Sequence, residues 1–135
     1  MQYTHDHLIL VLQKLYPGTV HFKDFYVAHK LAPDGVTQDG DPFIVKWCLD
    51  VPQPAPEALR AEFEANAADY TAQHVRLFRD AALAWSDSKA VAPPDAPEAV
   101  QQKAARWQAF RQQLRDISLQ PGFPFDVVWP EPPTE

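Results

Sequence analysis

The sequence has one cysteine, Cys48, so it has no internal disulfide and no thiol set for zinc, and a reducing compartment is the simplest reading. Only four glycines occur, and none belongs to a phosphate-cradling loop. Basic residues are also few, 12 against 18 acidic, and the net charge of -6 disfavours binding to a phosphate backbone. Nucleic acid is therefore not an expected partner. No apolar run approaches the roughly 20 residues that cross a bilayer, and the N-terminus carries no basic, then apolar, then small-residue leader pattern. A membrane partner is not expected either, and a cytoplasmic setting is.

What is abundant is apolar and aromatic matter, 46% and 12%, together with 14 prolines. The first excludes a wholly disordered chain; the second stiffens the connections. At 135 residues a folded chain buries roughly two-thirds of its unfolded surface, enough for a core without staples.

Thr4 to Tyr16 reads as a helix with Thr4 as N-cap and Asp6 in the first turn, where the helix dipole favours it. Leu8, Leu12 and Leu15 form one stripe, with Ile9, Val11 and Tyr16 beside it, and Pro17 and Gly18 end it. Val20 to Leu31 reads as a half-buried strand, with Phe25, Val27, His29 and Leu31 alternating. Two Asp-Gly pairs, Asp34–Gly35 and Asp39–Gly40, supply a turn. Phe43 to Leu49 comes next as a second strand, with Phe43, Val45, Trp47 and Leu49 on one face.

Residues 51–56, VPQPAP, predict an extended linker. Pro56 and Glu57 open a helix carried to about Trp85, with a near-heptad seam of Leu59, Phe63, Ala67, Tyr70, His74, Leu77, Ala81 and Trp85. Pro97 and Glu98 open another, with Val100, Ala104, Trp107, Arg111, Leu114 and Ile117 as its stripe and Phe110 widening it. Two such helices read as an antiparallel hairpin, whose seam also offers a face for self-association. The expected class is α+β: residues 1–50 a helix on a small antiparallel β-hairpin, 51–56 a linker, 57–120 the helical hairpin, 121–135 an extended tail.

Catalytic constellations are not legible. His5 and His7, two apart on a helix, point in different directions and do not make a metal pair. His21 and His29 flank a strand without a ligand at metal spacing, and His74 reads as an interface histidine. Asp34, Asp39 and Asp41 lack the alternation and closing glutamate of a calcium loop and read as turn formers. Cys48 has no base placed beside it by sequence. No cofactor, no metal and no enzymatic activity are expected.

The most informative stretch is WQAFRQQLRDISLQPGFPFDVVWPEPP, Trp107 to Pro133. Trp107, Phe110, Leu114 and Ile117 share a helical face, with Arg111 and Arg115 beside it, Arg115 or Asp116 being placed to orient the tail beyond the helix. Pro121 and Gly122 stop the helix, and Phe123, Phe125, Val127 and Trp129 then alternate as in an extended, edge-like segment.

This run resembles the C-terminal signature of bacteriophage tail-fibre and tail-assembly chaperones, W..(Y/F)R..LRDI..QPGFP..V.WP..P. The family usually has tyrosine at the position of Phe110, and often a Thr-Asp-Trp turn where this chain has Leu83, Ala84 and Trp85. The first half is loosely similar to a PBSX-type family of small prophage proteins, through Tyr16 to Gly18, Asp24 to Val27, and Trp47 to Pro56. The resemblance implies a non-enzymatic protein of the host bacterial cytoplasm, and of the virion tail fibre if it stays attached. It would bind the distal part of a fibre polypeptide and help it fold and trimerise. Trp107, Phe110, Arg111, Arg115, Phe123 and Trp129 are the expected partner-binding residues. A structural piece of the tail tip or baseplate, and a small host-directed enzyme or inhibitor, are the alternatives.

Overall fold

The computed structural model describes residues 2–134. Its elements are α1 His5–Leu15, β1 Phe25–Leu31, β2 Gln38–Trp47, α2 Pro56–Ala65, α3 Ala67–Ser86 and α4 Glu98–Arg115, with 3₁₀ turns at Asp87–Ala90 and Ile117–Leu119. The class is α+β. Two compact units are formed, one ending at His74 and the other beginning at Val75, so the division falls inside α3 and residues 51–56 lie within the first unit.

In the first unit α1 begins where Thr4 places it. The Thr4 hydroxyl accepts the His7 amide and the His7 side chain accepts the Thr4 amide, a reciprocal box that satisfies two otherwise orphaned donors. Leu8, Leu10, Val11 and Leu12 are buried with Phe25 and Val27 of β1 and with Leu59 and Phe63 of α2. Thus α2, expected in the helical hairpin, belongs to this core instead.

The strands form a two-stranded antiparallel sheet, and here the expected alternation fails. Tyr26 pairs with Lys46 and Val27 with Ile44, which leaves Val45 as an extra residue. A bulge of this kind flips the side-chain alternation. Ile44 and Trp47, three apart, therefore both pack on the core, while Phe43 and Val45 are exposed. A second shift, around Gly40 at φ 80°, sets Pro42 in β2 where its missing N–H is harmless. The Asp39–Gly40 pair thus lies inside β2, and only Asp34–Gly35 makes the turn. There the Asp34 carboxylate accepts the amides of Val36 and Thr37, both at 2.8 Å. Residues 20–24 form a turn rather than strand, because the Asp24 carboxylate takes the Val20 amide at 2.8 Å and Phe22 adopts a φ of 71°.

The helix expected from Pro56 to Trp85 is interrupted at Asn66. Its backbone leaves helical geometry (φ -129°, ψ 29°), and its amide side chain donates to the Glu62 carbonyl at 3.1 Å. Asparagine competes with the helix backbone in this way, and the helix restarts as α3 on a rotated face. The seam consequently divides. Leu59, Phe63 and Tyr70 are buried, Val75 and Ser86 are buried on the new stripe, and Leu77 and Trp85 are more than half exposed.

In the second unit the end of α3 and α4 form a helical hairpin. Trp107, Phe110 and Leu114 of α4 pack with Ala82 and Leu83 of α3 and with Ala90. Among the described residues no helix is long and apolar enough to cross a membrane.

Candidate functional site

The six residues expected to meet a partner fall into three environments. Trp107 and Phe110 are core, 2% and 6% exposed, with their rings edge to face at 5.6 Å. Lys89 places its ammonium 5.2 Å from the Trp85 ring and 5.1 Å from the Trp107 ring, a cation against two aromatic faces. Arg111 is turned inward. It donates to the Leu83 carbonyl, to the Ser86 hydroxyl at 2.8 Å, and to the Asp87 carboxylate at 2.6 Å. It thereby adds donors to the Leu83 carbonyl and the Ser86 hydroxyl at the end of α3, where helix carbonyls lack amide partners.

Arg115 is exposed and, among the described residues, bonds within its own helix, to Gln112 at 3.2 Å. The tail is not oriented by it. That work falls to Gln120, which stands in the QPGFP part of the C-terminal motif but is not among the expected site residues. Its side-chain amide donates to the Val128 carbonyl at 2.8 Å and its side-chain oxygen accepts the Val128 amide at 2.7 Å. A primary carboxamide carries one donor edge and one acceptor edge, as a peptide group does, so Gln120 meets Val128 as a neighbouring strand residue would.

Between these residues the chain turns. Residues 121–126 are not extended, contrary to the alternation of Phe123, Phe125, Val127 and Trp129. The Asp126 amide donates to the Gly122 carbonyl at 2.8 Å, and the Phe123–Pro124 bond is cis. A Cβ on Gly122 would lie 2.1 Å from the Asp126 carbonyl oxygen. Glycine is required there for close approach of two backbone segments, and not for a left-handed helix exit. Phe123 is half-buried beneath the Arg76 guanidinium, 5.4 Å from its ring. From residue 127 the tail forms no helix, strand or turn; Val127 is half-buried, Val128 is 76% exposed and Trp129 41%, while Phe125, just before, is 57% exposed.

Chemistry of another kind is gathered in the first unit, which holds all five histidines. His5 and His29 meet Nδ1 to Nδ1 at 3.0 Å, and Asp6 reaches His5 at 3.3 Å and His74 at 3.2 Å. Burial, and then the neighbouring His74, push the His7 imidazole down to about 4. No group of three or more metal-ligating side chains is arranged to hold an ion among the described residues.

Two family models match the chain. Residues 72–134 match that of the phage tail assembly chaperone protein, and residues 8–71 match that of the XkdW protein. The similarity carried by the C-terminal motif and the looser one carried by the N-terminal half are both found. No curated protein and no solved structure matches. The family matches support a role in phage tail assembly.

Proposed function

We propose that this chain, similar over residues 72–134 to phage tail assembly chaperones, binds the distal part of a tail-fibre polypeptide and promotes its folding and trimerisation. The observation that carries the reading is the tail. Phe125, Val128 and Trp129 are exposed within a few residues of one another, on a segment whose prolines limit the freedom lost on docking. A fibre chain exposes apolar strand edges before its three copies come into register, and covering such edges prevents their association with the wrong neighbours.

Because Trp107, Phe110 and Arg111 hold the hairpin together, their part in binding is to support the surface, and Trp129 makes the direct contact together with Phe123 and Arg115. The finer assignment is tested by capture of fibre fragments on the immobilised chain. Retention of a distal fragment and not of a proximal one is expected. Retention of the proximal fragment alone, or of neither, overturns it. A constant copy number of this protein in purified particles would instead favour a structural component of the tail.

A further inference from the structure

We propose that residues 127–132 are a detachable strand, held in the free protein by Gln120 as a stand-in neighbour, and that they dock by backbone pairing with an open edge strand of the fibre polypeptide. The inference deepens the fibre-binding reading and rests on it.

Three observations carry it. First, among the described residues the hydrogen bonds of residues 127–134 are the two exchanged between Gln120 and Val128, so one side chain supplies all the hydrogen bonding of the tail. Second, those two bonds occupy the donor and acceptor of the same residue. That is the pattern a strand neighbour makes, and adding an extended peptide to a sheet edge uses those groups first. An incoming strand replaces Gln120 bond for bond, so the exchange leaves no backbone group unpaired. Third, the segment suits a strand of limited length. Val127, Val128 and Trp129 favour extended backbone, and Pro130, Pro132 and Pro133 lack the amides that would let pairing run on into a larger sheet. Exposure of Val128 and Trp129 leaves their side chains available to a partner without unfolding the hairpin.

The test is hydrogen exchange at the Val128 amide in the full chain, wild type and Gln120→Ala, free and co-purified with co-expressed fibre polypeptide. In free Gln120→Ala the amide should exchange at least about tenfold faster than in free wild type, because its acceptor is gone. Gln120→Glu, which keeps that acceptor and loses the donor, should be intermediate, and it serves as the variant should Gln120→Ala fail to fold. In the fibre complex of Gln120→Ala the Val128 amide should slow again by a similar factor, since only the partner remains to accept it. A complex that forms but leaves this amide as fast as in the free variant overturns strand pairing while the chaperone reading stands. Equal rates in free wild type and free Gln120→Ala overturn the stand-in role. Absence of any complex overturns the fibre-binding reading and the inference with it.

Discussion

Arg111 and Ser86 lie 25 residues apart in sequence and meet at 2.8 Å, joining the C-terminal part of α4 to the last residue of α3. Ser86 is fully buried and its hydroxyl donates to the Ala82 carbonyl at 2.8 Å, so the arginine completes a closed polar set at the hairpin end. Truncating one partner of such a set costs about 1–3 kcal/mol, because what remains has lost both bond and solvent. Arg111→Ala should lower the melting temperature of the second unit by several degrees, and Arg111→Lys should recover only part of that loss. An unchanged melting temperature in Arg111→Ala would mean that this set does not hold the hairpin.

Gly122→Ala should open the turn after α4. The added methyl would collide with the Asp126 carbonyl oxygen, a backbone atom that cannot swing aside as a side-chain end can. Overpacking of this kind costs roughly 1–3 kcal/mol. The expected readings are faster exchange at the Asp126 amide and new protease cleavage after residue 122, with the melting of α1 and the sheet untouched. Wild-type cleavage would contradict the close approach.

Acid should weaken the first unit through His7. Its pKa is pushed from the ordinary 6.5 down to about 4, so between those values the folded state excludes a proton that the unfolded chain binds. The stabilisation is complete above about pH 6.5 and declines as the pH falls to about 4, a loss of roughly 3 kcal/mol on the scale of 1.4 kcal/mol per pKa unit. His7→Gln keeps an acceptor for the Thr4 amide, as the glutamine of a capping box does, and does not titrate. Urea unfolding from pH 7 to pH 4 should therefore show a shallower decline in the variant, with His21 and the carboxyls of Glu62 and Asp34, all lowered, contributing to what remains. Parallel declines in the two proteins would contradict this assignment.

Trp129→Ala should leave the fold cooperative and weaken fibre binding by about 2 kcal/mol or more, the usual effect of removing an aromatic anchor. Trp129 is 41% exposed, so its truncation opens no core cavity. A fall of ten degrees in melting temperature would show instead that it belongs to the core.

Elements set by short-range chemistry were legible in the sequence. Thr4 as N-cap with Asp6 in the first turn marks the start of α1, and Pro97 before Glu98 marks α4, because such end signals act locally. Of the stripe Val100, Ala104, Trp107, Arg111, Leu114 and Ile117, widened by Phe110, the spacing is right except at Val100, which is 45% exposed, and at Arg111, which is only half-buried. What escaped depends on register and on distant partners. Val45 looks like any strand residue until its pairing shows it to be a bulge, and Asn66 stops α2 without the proline or glycine that usually announces a break. The inward role of Arg111 and the tail-holding role of Gln120 were not legible because their partners, Ser86 and Val128, are supplied by the fold. Trp129 is expected to meet a partner, but the sequence does not decide whether the tail is surface or folds back on the hairpin; in the structure it is 41% exposed.

The central claim is that the chain makes a fibre polypeptide fold into its trimer, and co-expression tests it most directly. The fibre polypeptide is produced with and without this protein, purified through a tag on this chain or on the fibre, and weighed by light scattering. The account predicts a soluble trimeric fibre in the presence of the chain, with this protein bound, and aggregated or monomeric fibre in its absence. A fibre that trimerises equally well alone, with nothing retained on the tagged chain, would contradict it.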